Sequence, residues 1–497
     1  MSDLQENPPL PQSTGEAAEV RTSGMGMRAL RNTALLLVTR VCSRVIALVA
    51  VIAIGNALGD AHFGEMQTAV TYVNLVGTFA DVGLSALYVR EGARHVAALG
   101  RYFNNIASLK LVLSVVALPP LFALLYVAGL RSLLLPAFAL LVLSGYSLLL
   151  RSSLYAMQQL GFEIAEIIPE TLIVLTLALI GAHNGADVGY YLWAYAASYA
   201  FASAYFAVVL YRKGVLRPRW TVDASLLRPW IRAAIPLGIT FVITTVYFKV
   251  DVPILQRFRP YAEVGWYTFA YKPFESLLFI PFSLRGVVFP LLSVYHRQSP
   301  QRVLAMSEKF FKALVMLGWP ITVGVYLLAN QFNDLLHLYP QSAPALQILA
   351  LGIVFMFADN TFAATLNAID KQNVFAGIAV LGLVVNVGVN LVVIPAYGYR
   401  GASWAVVVTE AALVVAGWFV LRAQLGTINV VRACWKTIVA GVVMGVFIHF
   451  AHPQGRVALL LVVFASAAIY AGVLVALRVA DAEEVALIRN ALRLRRG

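Results

Sequence analysis

Apolar residues fill this chain in long runs, broken by short polar clusters, from about residue 32 to residue 477. A helix needs roughly 20 such residues to cross a hydrocarbon core about 30 Å thick. The runs predict helices near 32–58, 66–89, 104–129, 132–157, 164–182, 188–211 and 231–255. They predict seven more near 264–291, 310–330, 344–368, 373–395, 401–421, 435–451 and 457–477. The pattern is that of an all-α integral membrane protein with about fourteen transmembrane helices. Residues 1–27 are polar, contain prolines and carry no apolar run, which predicts a disordered tail and not a signal peptide.

Composition excludes the soluble classes: of 497 residues, 60% are hydrophobic and only 12% charged. Two cysteines, Cys42 and Cys434, make neither a disulfide framework nor a thiolate metal site, and no cofactor is implied. The net charge of +13 matters for where it falls. Basic residues gather in the segments around Arg28, Arg94, Arg212 to Arg232, Arg297 to Lys312, Lys371, Arg422 to Lys436 and the tail 481–497. The opposite side holds only Arg131, Arg257, Arg259, Arg400 and Arg456. By the positive-inside rule both termini are cytoplasmic. The charge is topology, so no nucleic-acid partner follows from it.

The chain also repeats itself. GNALGDAHFGEMQTAVTY (55–72) aligns with QRFRPYAEVGWYTFAYKP (256–273), matching Ala61 with Ala262 and Gly64 with Gly265. LYAMQQLGF (154–162) aligns with LNAIDKQNV (366–374). The expected organisation is an N-terminal six-helix bundle over 28–213, a basic cytoplasmic linker over 214–230 and a C-terminal six-helix bundle over 231–425. Two extra transmembrane helices over 426–480 and a basic cytoplasmic tail over 481–497 follow. Two pseudo-symmetric bundles around a central cavity are a transporter signature, because alternating access needs two bundles that rock about a shared site.

Charges inside the spans mark candidate chemistry, since each costs roughly 2.5–3.5 kcal/mol at a helix centre. Arg40 and Arg44 lie one turn apart on one face of the first helix. Lys249 and Lys272 come from the seventh and eighth, and these four are the expected substrate-binding cations. Lys110, Arg151 and Arg285 lie near cytoplasmic ends, where snorkelling accounts for them. Glu166 and Glu170 share a face of the fifth helix and, with Asp251, are candidates for coupling to a proton or sodium gradient. Ion pairing with the cations, as between Lys272 and Glu275, is the competing reading. Tyr247, Trp266, Tyr267 and Tyr271 fit the interfacial aromatic belt. A P-loop is absent and no outer connection is long, which argues against an enzyme.

The segments RNTALLLVTRVCSRVIALV, LGDAHFGEM, FADVGLSALYVREGAR, IPLGITFVITTVYFKVDVPIL and NVGVNLVVIPAYGYRGASWAVVVTE, in that order, resemble the polysaccharide flippases of the multidrug/oligosaccharidyl-lipid/polysaccharide (MOP) exporter superfamily. The resemblance covers about residues 30–425. It implies a flippase in the cytoplasmic membrane that carries a polyprenyl-diphosphate-linked oligosaccharide, usually on undecaprenyl diphosphate, from inner to outer leaflet. Such proteins serve O-antigen, capsule or exopolysaccharide assembly beside a polysaccharide polymerase or glycosyltransferases, and use basic residues on these same helices. A drug/cation antiporter of the same superfamily is the nearest alternative. A lipid II flippase or a membrane glycan polymerase or ligase fits less well.

Overall fold

The computed structural model describes residues 15–217, 219–335 and 339–479, with side chains from Leu35 onward except at 36, 37 and 237. No strand occurs among the described residues. Helix α1 (Gly15–Asp81) is broken at Gly59, whose φ of 73° costs an L side chain roughly 1–2 kcal/mol and glycine far less. Helices α2 (Leu84–Arg94), α3 (Leu99–Val127), α4 (Leu134–Ala156), α5 (Gly161–His183) and α6 (Val188–Arg212) complete the first half. The second half comprises α7 (Ala224–Lys249), α8 (Asp251–Phe258), α9 (Tyr261–Leu277), α10 (Phe279–His296), α11 (Pro300–Leu335), α12 (Ser342–Ala368) and α13 (Gln372–Gln424). Helices α14 (Val430–Ala451) and α15 (Arg456–Ala476) follow.

Eleven described helices are long and apolar enough to cross a membrane, or 12 with α7, which bends by 44° between Pro236 and Gly238. Dividing α1 at Gly59 and α13 at Gly398 yields the fourteen crossings that the apolar pattern predicts. Three boundaries differ from the pattern. The backbone is helical from Gly15, where a disordered tail was expected over 1–27, because adding turns to a helix already nucleated by a long apolar span is easy. The linker expected over 214–230 ends early, since α7 starts at Ala224. The span expected at 66–89 is interrupted at Val82 and Gly83, which both adopt positive φ. Residues 1–14 and the basic tail over 481–497 lie outside the described residues.

Asp223 explains where the linker stops. Its carboxylate accepts the Ser225 N–H at 3.0 Å and the Ser225 hydroxyl, capping α7, and takes Arg101 at 2.7 Å from α3. These bonds, the Ser225 hydroxyl foremost and Arg101 next, hold its pKa at about 2, below the ordinary 3.8. A depressed carboxylate stabilises the fold above its ordinary pKa and loses that contribution as pH falls through the folded value. Pepsin cleavage of the 213–223 linker should therefore rise between about pH 4 and pH 2. Asp223→Ala should be cut readily at every pH, and a flat wild-type profile would remove this clamp from the account.

The halves have separate cores. One gathers Ile54, Phe63, Leu121, Ala178 and Tyr191, the other Leu255, Tyr267, Leu314, Phe357 and Ile394. They meet at Phe269 of α9, which packs into the first core 5.2 Å from Phe63, and at positions that carry no side chain. In lipid there is no hydrophobic drive between helices, so close backbone approach at small residues supplies much of the attraction. Gly64 on α1 and Gly265 on α9, partners in the sequence repeat, cross each other: a Cβ on Gly64 would collide with the Tyr261 carbonyl, and one on Gly265 with that of Asp60. Around this crossing Trp266 Nε1 donates to Asp60 at 2.9 Å, Tyr72 donates to Gln256 at 3.1 Å, and the Tyr339 hydroxyl donates to the Gly55 carbonyl. These contacts join the two halves on the far side, opposite the 213–223 linker. A second glycine pair, Gly83 with Gly238, brings α7 within 2.6 Å of an added Cβ nearer the linker side.

On the far side, Arg259 donates to the carbonyls of Pro395 (2.7 Å) and Ala396 (3.0 Å), at the carboxyl end of the first limb of α13. Glu263 accepts the Tyr399 N–H (3.0 Å) at the amino end of the second limb. A cation thus meets the negative end of one helical dipole and an anion the positive end of the next, around Gly398.

Candidate functional site: a charged hollow between the halves

Arg40 and Arg44 lie on the first limb of α1, and the structure treats them differently. Arg40 Nη2 donates to Glu163 Oε1 on α5 at 3.0 Å and to the Tyr155 hydroxyl at 3.3 Å. The Tyr155 hydroxyl itself donates to Glu163 at 2.8 Å. Glu163 is 1% exposed, so Arg40 is neutralised by a buried carboxylate. Arg44 is exposed and makes no hydrogen bond or ion pair among the described residues. It lies within electrostatic reach of Tyr199 on α6 and of Lys272 and Glu275 on α9, so it faces the other half of the molecule.

On the second half, Lys249 at the end of α7 donates to Glu275 Oε1 at 3.0 Å, and Lys272 pairs with Glu275 Oε2 at 3.5 Å. One carboxylate serves two ammonium groups. With Arg44 beside them, this wall carries a surplus of positive charge, while Arg40, expected to join it, belongs to the acidic wall opposite. The physical reason is the three-residue step from Glu163 to Glu166, which turns a third carboxylate onto the same face of α5.

Glu163, Glu166 and Glu170 form a stripe on α5. Arg151 on α4 donates to Glu166 at 3.2 Å and Glu170 at 3.0 Å, with its guanidinium 5.4 Å from the Phe206 ring centroid. Two guanidiniums therefore face three carboxylates, and buried oxygens of Glu163 and Glu166 have no partner. Ser43 and Thr171, 2.7 Å apart, tie α1 to this stripe. Tyr199 lies within electrostatic reach of Arg44 and of Arg151, Glu166 and Glu170, so Arg44 stands near the acidic wall as well.

Snorkelling, the expectation for Lys110 and Arg151, is corrected in both cases by a nearby carboxylate. Lys110 is buried and pairs with Asp81 at 2.6 Å, and Arg151 is held as above. Asp251 is not brought to Glu166 and Glu170. It is buried at the start of α8, where it accepts from the Tyr267 hydroxyl and the Val252 N–H. The aromatic belt reading fails for two of its four members, Tyr267 and Tyr271. Tyr267 and Tyr271 are buried core, Trp266 is bonded to Asp60, and Tyr247 donates to Glu410 at 2.6 Å.

Glu410 is a residue the sequence reading missed. It stands in the apolar run WAVVVTEAALVV, and the argument that flags Arg44, a charge deep in a span, applies to it equally. Glu163 and Tyr155 were missed as well, because the first lies near a span end and the second is an ordinary residue until α1 places Arg40 against it.

The sequence profile of the family described as "Polysaccharide biosynthesis protein" matches residues 29–296. A stretch of 130 residues is 27% identical to an uncharacterized membrane protein, MJ1068, of Methanocaldococcus jannaschii, a match that covers 26% of this chain and 26% of that relative's length. Among solved structures, the fold is similar to that of the lipid II flippase MurJ in an inward closed conformation (TM-score 0.70, 14% identity, covering 88% of this chain and 97% of that one). It is also similar to an inward-facing multidrug resistance MATE family transporter of the MOP superfamily (TM-score 0.64, 15% identity, covering 77% of this chain and 94% of that one). At such identities the likeness is one of fold.

Proposed function

Because the chain belongs to the polysaccharide biosynthesis protein family of the MOP superfamily, we propose that it flips a polyprenyl-diphosphate-linked oligosaccharide across the cytoplasmic membrane, from inner to outer leaflet. In this reading the linker side is cytoplasmic, as the basic residues favour. The observation that carries the proposal is Arg44, without a partner among the described residues and within electrostatic reach of Lys272 and Glu275, beside Lys249, which shares the Glu275 carboxylate. A diphosphate dianion cannot enter hydrocarbon alone, and fixed cations in a wet hollow replace part of its hydration. Arginine adds a planar fork that matches phosphate oxygens.

The headgroup would bind between the walls while the prenyl chain stays in the bilayer. The halves then rock about the two glycine crossings, exposing the hollow first to one side and then to the other. The acidic wall supplies the coupling. Three carboxylates against two guanidiniums leave room for one proton, so Glu163, Glu166 and Glu170 form a proton-carrying set whose charge changes as the hollow changes sides. Glu166 and Glu170 remain in this role, while Asp251, bonded to Tyr267 in the core of its own half, stands apart from it.

Flipping of a lipid-linked oligosaccharide in proteoliposomes, with and without a pH gradient, tests both parts. The gradient should accelerate the wild type, and Glu166→Gln should flip at a rate that ignores it. Equal wild-type rates with and without the gradient would remove the coupling. Export of organic cations, with no movement of the glycolipid, would favour the antiporter instead.

A further inference from the structure

The linker between the halves does not run straight from α6 to α7. It lies along α3 and dips toward the membrane. Val215 starts beside Gly100, where an added Cβ would sit 2.7 Å from the Val215 carbonyl oxygen. Asn104, about one turn further along α3, donates to the Arg217 carbonyl at 2.9 Å and accepts the Arg219 N–H at 3.4 Å. Ser108, about another turn on, accepts the Thr221 N–H at 3.2 Å. The chain then climbs back, with the Asp223 N–H donated to Asn105 at 2.7 Å and the Asp223 carboxylate held by Arg101 at 2.7 Å. Arg101, Asn104, Asn105 and Ser108 thus shape a loop whose lowest point is Thr221, about 12 Å along the helix from Gly100. While α3 satisfies this main chain, the neighbours of Thr221 stay outside the contact: Trp220 is 63% exposed and Val222 55%.

Depth gives the dip its meaning. Helix α3 has 29 residues, about 43 Å of helix, and so outruns a hydrocarbon core of about 30 Å. Roughly 20 residues counted back from its far end at Val127 reach Ser108, which sets Trp220, Thr221 and Val222 at the hydrocarbon boundary. Arg217 and Arg219 are exposed and level with Asn104, about 6 Å further out, in the layer of the lipid phosphates. An indole at the boundary is at home between acyl chains and headgroups, and basic groups just above it are drawn to an anionic leaflet. The acid of the loop, Asp223, is taken up by Arg101 and does not offset them. We propose that the linker is an anionic-lipid clamp, in which Trp220 and Val222 enter the linker-side leaflet while Arg217 and Arg219 select anionic phospholipid headgroups over zwitterionic ones. Because the tip is bonded to α3, the clamp sets the depth at which the first half sits. It stands apart from the transport reading and holds whatever the protein carries.

The test places a fluorophore at the tip. The full chain carrying Cys42→Ser and Val222→Cys is labelled at position 222 with the environment-sensitive dye NBD, while Cys434 is buried. It is reconstituted in phosphatidylcholine vesicles that hold a fixed share of nitroxide-labelled phosphatidylglycerol or nitroxide-labelled phosphatidylcholine. Both lipids should quench the dye, and aqueous acrylamide should quench it weakly. Per mole, the phosphatidylglycerol should quench about fivefold better or more, the effect of one or two arginines beside an anionic headgroup. Arg217→Gln with Arg219→Gln should bring that ratio close to one, and Arg217→Lys with Arg219→Lys should keep it, since charge alone selects the headgroup. Trp220→Ser should weaken quenching by both lipids and leave the ratio. All of these side chains are exposed, and equal yield and gel-filtration profile establish that each variant folds. A ratio of one in the wild type, or a raised ratio that survives both glutamines, overturns the choice of an anionic lipid. Strong quenching by acrylamide with none by either lipid overturns the insertion and leaves the surface to solvent or to a protein partner.

Discussion

Arg44→Glu is expected to abolish glycolipid flipping while leaving the protein in the membrane at wild-type abundance. Arg44 is exposed and supports no hydrogen bond among the described residues, so its loss strands no partner there. Its contribution lies in the field it adds to Lys249 and Lys272. Two unit charges about 4 Å apart at an effective dielectric near 20 interact by about 4 kcal/mol. Reversing one of them against a diphosphate should slow flipping by roughly a thousandfold or more. Arg40→Gln behaves differently, because it leaves Glu163 buried with only Tyr155 as donor. That variant should lose abundance before it loses specific activity. Flipping per molecule in proteoliposomes, set beside immunoblots of membranes, separates the two. Wild-type flipping by Arg44→Glu at equal abundance would take Arg44 out of the mechanism.

Gly265→Ala should act at a distance from any charge. Its new methyl would run into the backbone carbonyl of Asp60, and a backbone cannot swing aside as the end of a long side chain does. Overpacking of this kind costs about 1–3 kcal/mol, and here the halves relieve it by separating on the far side. The expected result is a population shift toward an open far side, with flipping reduced about 10- to 100-fold. Bonds that cross this seam, such as Trp266 to Asp60, should break first. Gly324→Ala is the control, since nothing lies within 4 Å of its added methyl and it should flip normally. Fluorescence of Trp266, read against a Trp266→Phe background, should report the opening. An unchanged signal together with normal flipping would mean that the glycine crossing is no gate.

The crossings, the two matched halves and the two extra helices were legible from the chain, because a bilayer permits few ways to satisfy a backbone, and apolar length and turn glycines encode them almost directly. Even the repeat partners Gly64 and Gly265, paired on few identities, turn out to touch. The family was legible for the same reason, through ordered segments along the spans. The site was legible only as an inventory. That Arg44 and Arg40 share a helical face follows from spacing, yet among the described residues only Arg40 is paired, and this depended on where α5 carries Glu163. The same holds for Arg151, taken by two carboxylates of α5, and for Arg285, left facing a cleft. Sequence fixes which charges enter the membrane, since each is costly there and must be accounted for. Which of them keeps a partner is decided by contacts of a few ångströms between helices far apart in the chain, and no local pattern encodes those distances.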